Sequence, residues 1–145
     1  GTSVIQPNSG DQDDARFSPE GKWLAYSSNE YGRSEVFVQS FPDGVERHQI
    51  SSGGGLGPRW RRDGKELVYL SPDGTIMSVA LEEGWPGRTL EVQRLFRVER
   101  RFKEAADDFD MTGDGTLFLV NTPLGDTGTA PMTLQFHWTD RLKKP

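Results

Sequence analysis

The chain has no cysteine and only two histidines among its 145 residues. Without cysteine there can be no disulfide, no thiolate metal site and no cysteine nucleophile. The histidines, His48 and His137, lie far apart in the sequence, and neither has a second ligand at metal-binding spacing. We therefore expect no metal centre and no bound cofactor.

Long apolar runs are also missing. No stretch approaches the roughly 18 apolar residues of a membrane-spanning helix, and the first residues lack the basic-then-apolar pattern of a secretory signal. The 22 acidic residues outnumber the 17 basic ones and give a net charge of -5, which repels phosphate backbones. We expect a soluble domain that neither inserts into a membrane nor binds nucleic acid.

Motifs for catalysis are absent too. No G-x-S-x-G nucleophile elbow occurs, and the glycine-rich segment 53–57 runs into Pro58 where a phosphate-binding loop needs its third glycine. An acidic cluster of Asp11, Asp13 and Asp14 either binds a cation or is simply solvated, and solvation is the favoured interpretation. The sequence thus predicts a protein that is not an enzyme.

Glycine and proline, by contrast, are abundant, with 17 and 9 residues placed as turns between short apolar runs. One pattern occurs three times: an apolar or aromatic residue, a polar turn that ends in glycine, and an apolar strand. Its glycines are Gly21, Gly64 and Gly115, which are 43 and 51 residues apart. Periods of this size are typical of β-propeller blades, and the glycines suit the positive φ that closes a hairpin.

The strand pattern predicts an all-β fold of propeller blades, each with four antiparallel strands. We expect a single domain over residues 1–145, with blades near 8–52, 53–98 and 104–145. The third blade lacks a fourth strand, whereas an extra strand at residues 2–6 is available to complete a blade. Since three blades leave apolar faces open, we expect a homodimer that closes a six-bladed propeller.

The segment from Phe17 to Tyr26 carries an aromatic residue, Ser-Pro-Glu-Gly, then Lys-Trp and an apolar strand that ends in Tyr. It resembles the WD40-like repeats of the TolB-like β-propeller family. More narrowly, residues 16–80 resemble the C-terminal propeller of bacterial serine/threonine kinases of the eukaryotic-like type. The resemblance implies a periplasmic or otherwise extracytoplasmic location. Glu20 and the pair Gly113 and Asp114 depart from the usual Pro-Asp of these turns.

Two groups of residues are candidate ligand-binding positions. Arg16, Arg59 and Asp110 each precede the repeat's apolar residue, so they occupy equivalent positions on first strands. They either form an anion- or carboxylate-binding ring at the propeller axis or pair with each other between blades, and pairing is the favoured interpretation. Loops on the face of the propeller where the first strands begin form the second group, which comprises Asn29, Glu30, Tyr31 and Arg33 with residues 124–129.

The resemblance and the missing catalytic motifs together favour a non-catalytic propeller that binds a ligand or a protein, such as the sensor part of a receptor-like kinase. Two alternatives remain open. One is an accessory propeller of a prolyl-oligopeptidase-type peptidase, and the other is a Tol-type envelope scaffold. The fold by itself selects none of the three.

Overall fold

The computed structural model describes residues 10–81, 91–98, 109–121 and 132–136, the last range as backbone only. Every regular element in these ranges is a β-strand, and they contain no helix long and apolar enough to cross a membrane. The strands are β1 (Gln12–Phe17), β2 (Trp23–Ser28), β3 (Glu35–Ser40), β4 (Arg47–Gln49), β5 (Leu56–Trp60), β6 (Glu66–Leu70), β7 (Thr75–Ala80), β8 (Val92–Arg97), β9 (Phe109–Met111), β10 (Leu117–Asn121) and β11 (Met132–Phe136).

These strands form three antiparallel sheets in chain order. The first sheet is β1-β2-β3-β4, the second is β5-β6-β7-β8, and the third is β9-β10-β11. The all-β prediction is confirmed, and the strands lie close to where the sequence places them, although β4 ends at Gln49 one residue before the predicted Ile50. In the described parts of the chain no sheet closes on itself. The extra strand at residues 2–6 lies outside the described residues, and the blade boundaries stay predictions.

The repeated turns have the backbone geometry that the sequence predicts. Gly21, Gly64 and Gly115 have φ values of 71°, 70° and 72°, in the left-handed region that favours glycine. In each turn the glycine N–H donates to the carbonyl oxygen three residues earlier, over 2.8, 2.9 and 2.8 Å respectively. The shared geometry explains why one local pattern closes a hairpin in all three sheets.

An aspartate before the glycine stabilises two of these turns. The carboxylate of Asp63 accepts hydrogen bonds from Arg61 and from the backbone N–H of Lys65, and these lower its pKa to about 2. Thr112 and the backbone N–H of Thr116 lower the pKa of Asp114 to about 2 in the same way. Glu20 takes this place in the first turn and makes no such hydrogen bond within the described residues.

Two apolar cores hold the three sheets together. The first and second sheets bury one cluster, and the second and third bury another. The strands after the glycines of the first two turns are buried on both faces, as expected for blades between neighbours. The first cluster comprises Ala25, Val36, Val38, Leu67, Tyr69, Val79 and Leu81, and the second comprises Val68, Leu70, Ile76, Val98, Phe109, Phe118 and Val120. The stacking brings the first strands of the sheets near one another.

Candidate functional site

The three predicted first-strand residues do occupy equivalent positions. Arg16 pairs with Ala25, Arg59 with Val68 and Asp110 with Leu119 in the register of each sheet. Each of these partners is the third residue of the strand that follows the repeated turn, in all three sheets. The repeat therefore fixes both the strand and the position on it.

The structure brings all three residues to one cavity, the first-strand cavity, with a volume of about 600 Å³. Its walls come from the ends of β1 and β5, from β9, and from β10 of the third sheet. The lining residues are Arg16, Phe17, Pro19, Arg59, Trp60, Phe109, Asp110, Met111, Leu119 and Asn121. Two guanidinium groups against one carboxylate make this lining net positive, so it favours an anionic ligand.

Ion pairing accounts for part of this arrangement. Arg59 Nε lies 3.6 Å from Asp110 Oδ1, and the Arg59 guanidinium carbon lies 5.6 Å from the centre of the Phe109 ring. The Arg59 side chain is 11 % exposed, whereas Asp110 is 70 % exposed. The second and third sheets are thus joined by a loose ion pair, and the Asp110 carboxylate remains open to solvent.

Arg16 takes no part in that pair. It is exposed, and its Nη1 donates to the carbonyl oxygen of Ala15 over 3.0 Å. Trp60 Nε1 donates to the Arg16 carbonyl oxygen over 3.0 Å and so fixes β1 against β5. The backbone of Arg16 is held while its charge faces solvent, which is the state that suits recognition of an anion.

The loop candidates separate into two places. Asn29 and Arg33 line a second cavity of about 570 Å³, the loop cavity, where Asn29 is tied to Asp11 by mutual hydrogen bonds. Glu30 turns away and pairs with Arg47, with only 3 % of its side chain exposed. Tyr31 is 69 % exposed, with its ring 6.3 Å from the Phe37 ring. Residues 124–129 lie outside the described residues.

The Glu30–Arg47 pair belongs to a network that the sequence analysis missed. Arg47 Nε donates to the Tyr26 hydroxyl over 2.7 Å, and the Arg47 guanidinium carbon lies 4.0 Å from the centre of the Phe37 ring. The Tyr26 hydroxyl in turn donates to Gln39 Oε1 over 3.2 Å. Burial raises the pKa of Tyr26, and the hydrogen bond from Arg47 offsets only part of that shift. Glu30 therefore has a structural partner already.

The loop cavity is lined by three connecting segments and the starts of two first strands. The connecting segments are the loop between β2 and β3, the segment between β4 and β5, and the turn at Pro72, and the strands are β1 and β5. The lining residues are Asp11, Asp13, Asn29, Gly32, Arg33, Ser34, Gly54, Gly55, Leu56 and Pro72. The sequence predicts that Asp11 and Asp13 are solvated, and the fold places both in the lining of the same cavity as Arg33. Among the described residues no group of three His, Asp or Glu side chains is arranged to hold a metal ion.

Comparisons with known proteins support the propeller-type architecture. No protein-family model matches the sequence, and no curated protein is significantly similar to it. Among solved structures, oligogalacturonate lyase from Vibrio parahaemolyticus is 19 % identical over 72 % of this chain and 26 % of its own, with a TM-score of 0.51. A putative 6-phosphogluconolactonase from Bacteroides uniformis is 17 % identical over 88 % of this chain and 41 % of its own, with a TM-score of 0.52. TolB from Acinetobacter baumannii is 16 % identical over 88 % of this chain and 41 % of its own, with a TM-score of 0.43.

The lyase is a β-propeller. At 19 % identity the likeness shows the fold alone, so the described parts of this chain form propeller-type antiparallel sheets. The chain spans 26 % of the lyase and 41 % of the lactonase. The link to kinase-associated propellers stays a prediction.

Proposed function

We propose that the chain is a non-catalytic binding segment of a β-propeller that holds a carboxylate-bearing ligand, such as an acidic peptide, in the first-strand cavity. The observation that carries this proposal is the convergence of Arg16 and Arg59 on one cavity from equivalent strand positions. Guanidinium groups bind carboxylates with two parallel hydrogen bonds, and a rigid sheet scaffold keeps them in place. Asp110 offsets only one of the two positive charges.

The chemistry of the same cavity supports a role in binding rather than catalysis. Its described lining includes no Ser, Thr, Cys, His or Lys side chain, and Asp110 supplies its only carboxylate. A nucleophile, a base and an oxyanion-binding group are all needed for acyl transfer, and these lining residues do not supply them. The lyase and the lactonase, at 19 % and 17 % identity, resemble this chain in fold alone.

The sequence resemblance supports the finer assignment. We infer an extracytoplasmic location and a sensor role beside a kinase domain, with the peptidase accessory and the Tol-type scaffold as alternatives. The coding sequence on either side of this chain separates the three. A preceding kinase and membrane span support the sensor, a following hydrolase supports the accessory, and a preceding signal peptide with a small α/β domain supports the scaffold.

Calorimetric titration with matched acidic, neutral and basic peptides tests the binding proposal. We expect the acidic peptides to bind, and we expect Arg16→Gln and Arg59→Gln each to weaken binding by about tenfold because each removes a charge-assisted hydrogen bond. Arg62→Gln is the matched control, since Arg62 is exposed and lies outside the cavity. Equal binding of all three peptide classes, or unchanged affinity in both cavity variants, contradicts the proposal.

We also propose that the three sheets form half of a six-bladed propeller, which two copies of the chain close. Three sheets stacked through two apolar cores support this arrangement. Closure by a twofold axis buries the outer faces of the first and third sheets. The residues 2–6 of one copy then complete the third sheet of the other.

A further inference from the structure

The loop cavity holds opposite charges that do not pair with each other. Arg33 Nε lies 2.7 Å from Glu35 Oε1, and Arg33 Nη2 donates to the Ser52 carbonyl oxygen over 2.9 Å. The Arg33 side chain is nevertheless 62 % exposed. Within the described part of the chain, the carboxylates of Asp11 and Asp13 form no ion pair. Charges of both signs therefore face the same space and remain open to a ligand.

Buried Glu35 positions the positive side of the cavity. Its Oε2 accepts hydrogen bonds from Ser51 Oγ and, over 3.0 Å, from the backbone N–H of Gly54. Its Oε1 fixes Arg33, so the guanidinium is held with N–H groups on Nη1 and Nη2 still available. A fixed planar guanidinium is suited to the two oxygens of a carboxylate.

The negative side is held by the start of β1. The backbone N–H of Asp11 donates to Asn29 Oδ1 over 2.9 Å, and Asn29 Nδ2 lies 3.5 Å from Asp11 Oδ2. The Asp11 carboxylate keeps lone pairs for another donor. Asp13 has no hydrogen-bond partner for its carboxylate among the described residues. Two carboxylates on one short segment suit an ammonium group, which has three N–H donors.

We propose that the loop cavity binds a small zwitterion, with a free α-amino acid as the chemical class. Its ammonium group contacts Asp11 and Asp13, and its carboxylate contacts Arg33. A simple anion meets the repulsion of both aspartates, whereas a simple cation makes no use of the Arg33 N–H groups that Glu35 and Ser52 leave available. The volume of about 570 Å³ is within the range of small-molecule sites. This proposal does not depend on the first-strand cavity.

Ligand-observed NMR with each standard L-amino acid at millimolar concentration tests the proposal. For the strongest binder, the amide removes the carboxylate and the N-acetyl derivative removes the ammonium group. We expect either change to weaken binding by about tenfold or more, and Asp13→Asn to weaken it by about tenfold. Glu46→Gln is the matched control, because Glu46 is exposed and outside the cavity.

Three outcomes overturn the proposal. The first is that no amino acid binds. The second is that the amide or the N-acetyl derivative binds as tightly as the parent, which identifies a site for one charge only. The third is that Asp13→Asn, folded as judged by circular dichroism, binds with unchanged affinity. The ligand derivatives keep the test decisive even where a variant loses stability.

Discussion

Adjacent residues of β3 are buried by different means on the two faces of the first sheet. Val36 and Val38 pack into the core shared with the second sheet. Phe37 points the other way with Leu24 and Tyr26, and there the Arg47 guanidinium lies over its ring. All these apolar side chains are at most 4 % exposed. A neighbouring sheet covers one face, while a charged side chain covers part of the other.

This difference bears on the stability of the chain. The repeats alone predict a broad apolar surface on the outward face of the first sheet. The structure instead places there the ion pair of buried Glu30 and partly exposed Arg47, and cation–π contact and the apolar stem of arginine both suit such a position. Exposed Tyr31 marks the edge of this face. The outward face is therefore partly protected from water by its own residues.

The largest expected effect comes from Phe37→Ala, compared with Val38→Ala on the same strand. We expect Phe37→Ala to lower the free energy of unfolding by about 3 to 5 kcal/mol, because a buried ring is lost. Val38→Ala removes less volume and should cost about 1 to 3 kcal/mol. Urea denaturation measures both. If Phe37→Ala costs less than Val38→Ala, the outward face does not contribute a packed core.

Breaking the ion pair comes next. Arg47→Met keeps an apolar stem over Phe37 but leaves the buried Glu30 carboxylate without its cation, and we expect a loss of about 2 to 4 kcal/mol. Adding Glu30→Gln should restore part of this loss, because the amide carries no buried charge. Urea denaturation of the two single variants and the double variant gives the unfolding free energies of a double-mutant cycle. Additive losses contradict a direct Glu30–Arg47 interaction.

The turns offer a comparison between sheets. Gly64→Val should lower the free energy of unfolding by about 1 to 3 kcal/mol, because a β-branched residue resists the positive φ of 70°. Gly21→Val imposes the same backbone strain. An added Cβ meets no atom within 4 Å at Gly21, and at Gly64 it lies 3.0 Å from Glu20 Oε2, the end of a flexible side chain. Because the backbone strain is shared, chemical unfolding should show similar losses of unfolding free energy for both variants. An unchanged midpoint for both variants contradicts the role of the left-handed glycine.

Acid should weaken the repeated turns of the second and third sheets slightly more than the repeated turn of the first sheet. The pKa values of Asp63 and Asp114 are about 2, below the ordinary 3.8, so their stabilising contribution is complete above about pH 4 and disappears as the pH falls through about 2. Both groups are exposed, so solvent screening keeps the effect small. The denaturation midpoint should depend less on pH across this range in Asp63→Asn and Asp114→Asn than in the wild-type chain. Wild-type and variant profiles of the same shape contradict this account.

Local chemistry made much of the fold predictable from sequence. Glycine turns such as those at Gly21 and Gly64 depend on residues within a few positions, and the repeat transfers the register from one sheet to the next. That is why the repeat predicts equivalent strand positions for Arg16 and Arg59, which the register of the two sheets confirms. The Glu30–Arg47 pair was not predictable, because its partners are 17 residues apart and meet only after β4 pairs with β3. The same holds for Asp13 and Arg33, which the first-sheet pairing brings to one cavity.

Sedimentation equilibrium of the whole chain at micromolar concentration tests most directly whether the three sheets are consecutive blades of one closed ring. The proposed closure uses two copies of this chain, so the proposal predicts a mass of about twice 16.2 kDa and a shift toward monomer or aggregate when residues 1–7 are removed. A stable 16.2 kDa monomer at high concentration contradicts the half-propeller and means that the outward faces are protected within one chain.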